Sequence, residues 1–227
     1  LWDDAKPVLR NVEELILSPI TLFRHEALYL IQDEISEPRT HLAILEALGA
    51  GLKTPATLAK ETGIALNHIG KYLNTLVTLR FVRRVLSEDV PNRNSSRISR
   101  YEIRDSFLRF YFEFIYRYPE LIEQDRIKRL SRLIRERFDR YVGRTGYEEL
   151  ARRKITVLGD NNELPLVPEY IGRAWNRSVE IDLIAINWHD RSVLLGECKW
   201  QRNKMMPEAL SQLQERGERL QRLKGFK

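Results

Sequence analysis

Residues 179–200 read VEIDLIAINWHDRSVLLGECKW. The first nine, VEIDLIAIN (179–187), spell a strand of β-branched and aliphatic residues interrupted by a single carboxylate, Asp182. The last eight, VLLGECKW (193–200), spell a second strand, and the turn WHDRS is short enough that the two should pair. In a strand, residues two apart share a face, so Glu197 and Lys199 project together. Pairing then places Asp182 beside them. Cys198 points the other way and reads as a core thiol. Two neighbouring carboxylates repel, and burial sharpens the conflict. A hard divalent cation such as Mg2+ resolves it, because Mg2+ takes carboxylate oxygens and keeps several waters. A lysine at that point orients a water or stabilises charge on a phosphoryl oxygen.

Outward from this stretch, GRAWNRS (172–178) supplies a further strand, preceded by the proline-flanked loop LPLVPEY (164–170). Before that, a helix begins near Thr145 and carries GYEELARRK. Its Glu148 is the candidate third carboxylate, with Glu149 as rival, about 100° round the helix. Residues 207–222 form a closing helix. The order is helix, strand, strand, strand, helix. In GRAW, Arg173 is a candidate phosphate contact and Trp175 a candidate cleft wall, with packing the competing reading for both.

The front half is helical by the same tests. Residues 22–34 have helical spacing, and Pro38 precedes THLAILEALGAG, with Leu42, Ile44, Leu45 and Leu48 on one side. Thr54-Pro55 is a cap followed by proline at the first helical position, and that short helix stops at Gly63. Ala65 to Leu79 forms a third helix. FVRRVL (81–86) and ISRYEI (98–103) alternate as strands around the polar loop SEDVPNRNSSR. Three helices, a glycine turn and a hairpin are the layout of a winged helix-turn-helix over 38–104. Its third helix exposes Asn67, His68, Lys71 and Asn74, and its wing carries Arg83, Arg84, Arg93, Arg97 and Arg100. Residues 105–118 hold seven aromatics at helical spacing, which reads as core. Residues 120–141 form a long helix with Arg126, Lys128, Arg129, Arg132, Arg135, Arg137 and Arg140 on its polar side.

YEELAR, IGRAW, EIDLIA and GECKW, in this order behind a winged helix, resemble the C-terminal part of the archaeal-type P-loop ATPase family. That part is a winged helix plus the DUF234 nuclease-like domain, of the PD-(D/E)xK nuclease superfamily. The resemblance implies Asp182 and Glu197 as metal ligands, Lys199 as catalytic lysine, Glu148 as the helix glutamate and Gln212 as a further site member. It implies Mg2+ as cofactor, and a further strand after the last helix. The expected fold class is α+β: a winged helix-turn-helix, a helical linker, and a PD-(D/E)xK-like α/β domain. The expected divisions are an N-terminal helical segment (1–37) trailing an ATPase domain, the winged helix (38–104), a connector (105–144) and the nuclease-like domain (145–227). The chain has no G-x-x-x-x-G-K-[ST], so ATP belongs to the expected upstream domain.

The 227 residues carry 38 Lys and Arg against 32 Asp and Glu, a net charge of +6. The excess is local. Residues 126–144 alone carry +6, and 80–104 and 201–227 carry +4 each, while 171–200 balance. Clusters of this kind suit a phosphate backbone, so DNA is the expected partner, held by Lys71, Arg83, Arg84, Arg97, Arg100, Arg129, Arg132 and Arg173. One cysteine excludes an internal disulfide framework and a cysteine-rich zinc site, and fits a reducing, cytoplasmic setting. The four histidines show no ligand spacing, and no run approaches the roughly 18 apolar residues of a membrane span. Activity divides into two expectations: Mg2+-dependent hydrolysis of DNA, or an inactive nuclease-like fold that binds DNA or protein for the ATPase. A homo-oligomer is a further expected partner.

Overall fold

Apolar spacing and punctuating residues set most boundaries in the computed structural model, which describes residues 2–18, 21, 23–91, 99–200 and 208–227, with the backbone alone at 221. The chain opens with α1 (Val8–Val12), continued by a π-helical turn at Glu13–Leu17, then α2 (Phe23–Glu34), α3 (Arg39–Gly49), α4 (Pro55–Thr62) and α5 (Leu66–Thr78). Strands β1 (Val82–Leu86) and β2 (Ser99–Ile103) form a two-stranded sheet. Next come α6 (Ser106–Phe110), a π-helical segment at Tyr111–Ile115, α7 (Pro119–Glu123) and α8 (Ile127–Val142). A π-helical turn at Gly143–Tyr147 leads into α9 (Glu148–Asp160). Strands β3 (Tyr170–Trp175), β4 (Glu180–Asn187) and β5 (Ser192–Gly196) and helix α10 (Glu208–Glu218) complete an α+β chain. No helix among the described residues is long and apolar enough to cross a membrane.

The chain divides into two units, the first comprising residues 1–84 and 100–139. Thr54 caps α4 by accepting the Thr57 N–H, and Gly63 ends it at φ 73°, a left-handed conformation that glycine adopts without Cβ strain. Leu42, Ile44, Leu45 and Leu48 of α3, Leu58 of α4, and Ile69, Leu73 and Leu76 of α5 are buried. The aromatic stretch joins this interior, with Phe112 and Phe114 fully buried.

The expected single helix over 120–141 is broken in two. Asp125 takes φ 50°, the Arg126 N–H donates to Leu121 O at 2.8 Å, and the Asp125 N–H donates to Ile122 O at 3.2 Å. These two bonds satisfy the last carbonyls of α7, so the chain turns before α8 begins.

The second unit comprises residues 85–99 and 140–227. Its sheet runs β3–β4–β5, antiparallel throughout. β4 lies between β3 and β5 and packs against both α9 and α10, so nearly all of it is buried and it reads as an almost unbroken apolar run. Ala174, Val179, Ile181, Ile184, Ile186, Leu213, Leu220 and Leu223 form the core. The outer edge of β3 is occupied: the Glu88 N–H donates to Arg173 O at 2.8 Å, and the Trp175 N–H to Ser87 Oγ at 2.7 Å. At the β5 edge, the Val193 N–H donates to Lys227 O at 3.0 Å and the Lys227 N–H to Arg191 O at 2.9 Å.

Two sequence expectations change here. β5 ends at Gly196 instead of continuing through Trp200, because the Cys198 N–H bonds the Asp182 carboxylate at 2.9 Å and not a β4 carbonyl. Cys198 is half-buried, outside the apolar core. In addition, register slips between β3 and β4: Ala174 faces Ile181 while Gly172 faces Ile184, which puts one extra residue on β4. This bulge lies at Asp182–Leu183 and bends the strand where the carboxylate projects.

Candidate functional site

Glu148 sits in the first turn of α9, Asp182 at the β4 bulge, and Glu197 and Lys199 just past β5. Strict alternation would put Asp182 on the face of Ile184 and Ile186. The bulge turns it toward α9, whose Arg152 donates to the Asp182 carbonyl at 3.2 Å. Three carboxylates from three elements are thereby gathered near one another.

Each has its own electrostatic arrangement. Burial raises the Glu148 carboxyl; the Arg173 guanidinium opposes that shift, and the Asp182 charge adds to it. Burial also raises Asp182, opposed by the Cys198 N–H and reinforced by Glu197. For Glu197, burial works against the charge, but hydrogen bonds from Lys199 and Arg216 outweigh it and hold the carboxyl below its ordinary range. Burial, with the charges of Asp182 and Glu148, pushes the Cys198 thiol up to about 11, so it stays protonated at neutral pH.

Arg173 meets Glu148 Oε2 at 2.7 Å and Arg152 meets it at 3.5 Å. Lys199 Nζ lies 2.5 Å from Glu197 Oε1, and Arg216 from α10 lies 2.7 Å from Glu197 Oε2. Oxygen donors of this kind suit Mg2+ in chemistry. Both oxygens of Glu197 are taken by cations, and among the described residues no group of three His, Cys, Asp or Glu side chains is disposed to hold a metal ion. Guanidinium and ammonium groups pair with Glu148 and Glu197, while the Asp182 carboxylate accepts the Cys198 N–H at 2.9 Å.

Glu148 and Glu149 differ in position. Glu148 faces the cluster, whereas Glu149 pairs with Arg153 at 2.8 Å. Gln212 is exposed; Arg216, one turn further along α10, is the residue that reaches Glu197. Arg173 is 7% exposed and bonded to Glu148, so it is an internal counter-ion and not a surface phosphate contact. Sequence reasoning missed Arg152 and Arg216. Arg152 stands four residues after Glu148, a spacing that signals a helical ion pair. Arg216 has no such local signal.

The candidate nucleic-acid contacts are scattered by comparison. Lys71 is exposed on α5, as are Asn67, His68 and Asn74. Arg83 is committed to Glu102 at 2.7 Å; Arg84 is exposed and Arg100 half-buried. Arg97 lies outside the described residues. Arg129 and Arg132 are exposed on α8.

The raised carboxyl of Asp182 has a consequence for stability. Its native charge is disfavoured relative to the unfolded chain, so the carboxylate costs stability once pH rises through its folded value. Asp182→Asn should therefore unfold at higher urea concentration than the parent at pH 7. That advantage should vanish as pH falls below the ordinary aspartate range. A midpoint difference independent of pH would refute the assignment.

The fold and cluster define a class: an α+β protein whose second unit gathers acids from a helix, a strand and a strand end, two of them paired with arginine or lysine. Residues 111–213 match the DUF234 family model, described as Archaea bacterial proteins of unknown function. Over 201 residues, 88% of its length, the chain is 31% identical to an uncharacterized protein of Methanocaldococcus jannaschii. It covers 43% of that protein. No solved structure matches it.

Proposed function

We propose that this chain is the DNA-binding region of a longer archaeal-type ATPase. In this reading α3, α4, α5 and the β1–β2 sheet form a winged helix. The second unit is a PD-(D/E)xK-like domain that acts as a binding module. The observation that carries the reading is the charge arrangement. Glu148 and Glu197 of the cluster are paired internally, whereas Lys128, Arg129 and Arg132 of α8 are exposed and form no ion pair among the described residues. Cations without acidic partners are the ones available to phosphate.

A second reading, hydrolysis of DNA phosphodiesters with Mg2+, is favoured by the convergence of Glu148, Asp182 and Glu197 beside Lys199. It requires Lys199 and Arg216 to release Glu197. The test is the intact chain with labelled single-stranded and duplex DNA, with and without Mg2+ or Mn2+. Binding without divalent-dependent cleavage, retained in Asp182→Ala, is the expected result. Cleavage that needs the ion and disappears in both Asp182→Ala and Lys199→Ala would replace the first reading by the second.

A further inference from the structure

Arg24 of α2 is 6% exposed, and its guanidinium makes one hydrogen bond among the described residues, from Nη2 to Ile122 O at 2.6 Å. That bond caps a terminal carbonyl of α7 and uses one of five N–H donors. Nε is buried with no partner. Every Asp and Glu of the chain lies among the described residues, and none of them forms an ion pair with Arg24. Arg173, similarly buried, is answered by Glu148. Buried charges are as a rule paired, because an isolated one is costly in low dielectric.

Arg24 stands in the wall of a cavity of about 650 Å³ inside the first unit, between α2, the π-helical segment at Tyr111–Ile115 and α7. Leu28, Ile115 and Ile122 give it apolar walls, and Tyr111 and Tyr116 aromatic ones. Cavities of roughly 300–1,000 Å³ with such linings and a few placed polar groups are what small molecules bind. Burial pushes the Tyr111 hydroxyl up to about 12, so it keeps its proton and can donate. Glu120 and Glu123 mark the solvent side: both are exposed, and neither forms an ion pair among the described residues. The third acid of the lining, Glu46, has Arg117 at 3.8 Å. The cavity thus has an unanswered cation at its buried end, unpaired acids at its open end and apolar walls between. A phosphate chain would be repelled by the acids, whereas a zwitterion meets both charges. We propose that this cavity binds a free amino acid with an apolar or aromatic side chain, its carboxylate on Arg24 and its ammonium toward Glu120 and Glu123. Binding there does not depend on nucleic acid.

Isothermal titration of the intact chain with three pairs of probes separates the two charges: phenylalanine and leucine, their amides, and phenylpropionate and isocaproate. The amides lack the carboxylate, and the last two acids lack the amine. The amino acids should bind more tightly than either other pair. Arg24→Met should weaken their binding at least about ten-fold, the order of a charge-assisted hydrogen bond, and leave the amides unchanged. Because it removes an unpaired buried charge, this variant should unfold at no lower urea concentration than the parent. Should it fail to fold, Arg24→Lys, with the charge but not the planar fork, should still lose part of the affinity. Glu120→Gln combined with Glu123→Gln, both on the surface, should weaken the amino acids about three-fold and spare the acids that lack an amine. Amides bound as tightly as amino acids, or amino-acid binding untouched in both Arg24 variants, would overturn the role of Arg24. Tighter binding of the amine-free acids would overturn the zwitterion, and binding of none of the six by the parent would overturn the site.

Discussion

Arg173→Met should lower the unfolding free energy of the second unit by about 3 kcal/mol, the order expected when one partner of a buried ion pair is removed. The Arg173 side chain is 8% exposed and that of Glu148 16% exposed, 2.7 Å apart. Without the guanidinium, Glu148 remains in low dielectric beside Asp182. Arg152, at 3.5 Å, compensates only in part. Urea unfolding followed by tryptophan fluorescence reads this unit, since Trp175, Trp188 and Trp200 belong to it. The double variant Arg173→Met, Glu148→Met should recover to within about 1 kcal/mol of the parent, because an apolar pair of similar volume no longer carries an uncompensated charge. If the single variant is as stable as the parent, Glu148 does not depend on Arg173, and the charge-compensated description of the cluster is wrong.

Replacing Lys128, Arg129 and Arg132 together with glutamine should weaken DNA binding roughly ten-fold or more near physiological salt. It should also reduce the slope of log affinity against log salt by about 3, one for each phosphate no longer neutralised. The three are chosen because their neighbours are already engaged. Arg135 lies 3.4 Å from Glu13, and Arg137 donates to the Tyr118 hydroxyl at 2.7 Å. Stability should change little, since the three side chains are exposed and bind no acid among the described residues. An unchanged slope would take α8 out of the interface and leave the surface of α5 and the β1–β2 sheet as the remaining candidates.

Most elements are legible in the sequence because their signals are local. The Thr54 cap, Gly63, the apolar spacing of α3 and α5, and the β-branched run of β4 each act within a few residues. The break at Asp125 is not legible. A non-glycine residue in left-handed backbone has no strong sequence mark, and its bonds to Leu121 and Ile122 become visible only once the turn is folded. The end of β5 escapes sequence reading for a related reason: the apolar run and the lysine look like strand, but the Asp182 side chain intercepts the backbone at Cys198.

The candidate site shows the same division. Sequence alone singled out the candidate acids and lysine, because a lone Asp in an apolar strand and Glu197 two residues before Lys199 stand out against their surroundings. It did not determine what surrounds them. Alternation places Asp182 with Ile184 and Ile186, and only the one-residue bulge against β3 turns it toward α9. The partners of the acids come from afar: Arg173 is 25 residues from Glu148, and Arg216 is 19 from Glu197. Composition balances residues 171–200 at zero charge, but the tertiary structure decided which cation meets which carboxylate. Electrostatic energy depends on distance in space and on burial, and neither is written in the order of the residues.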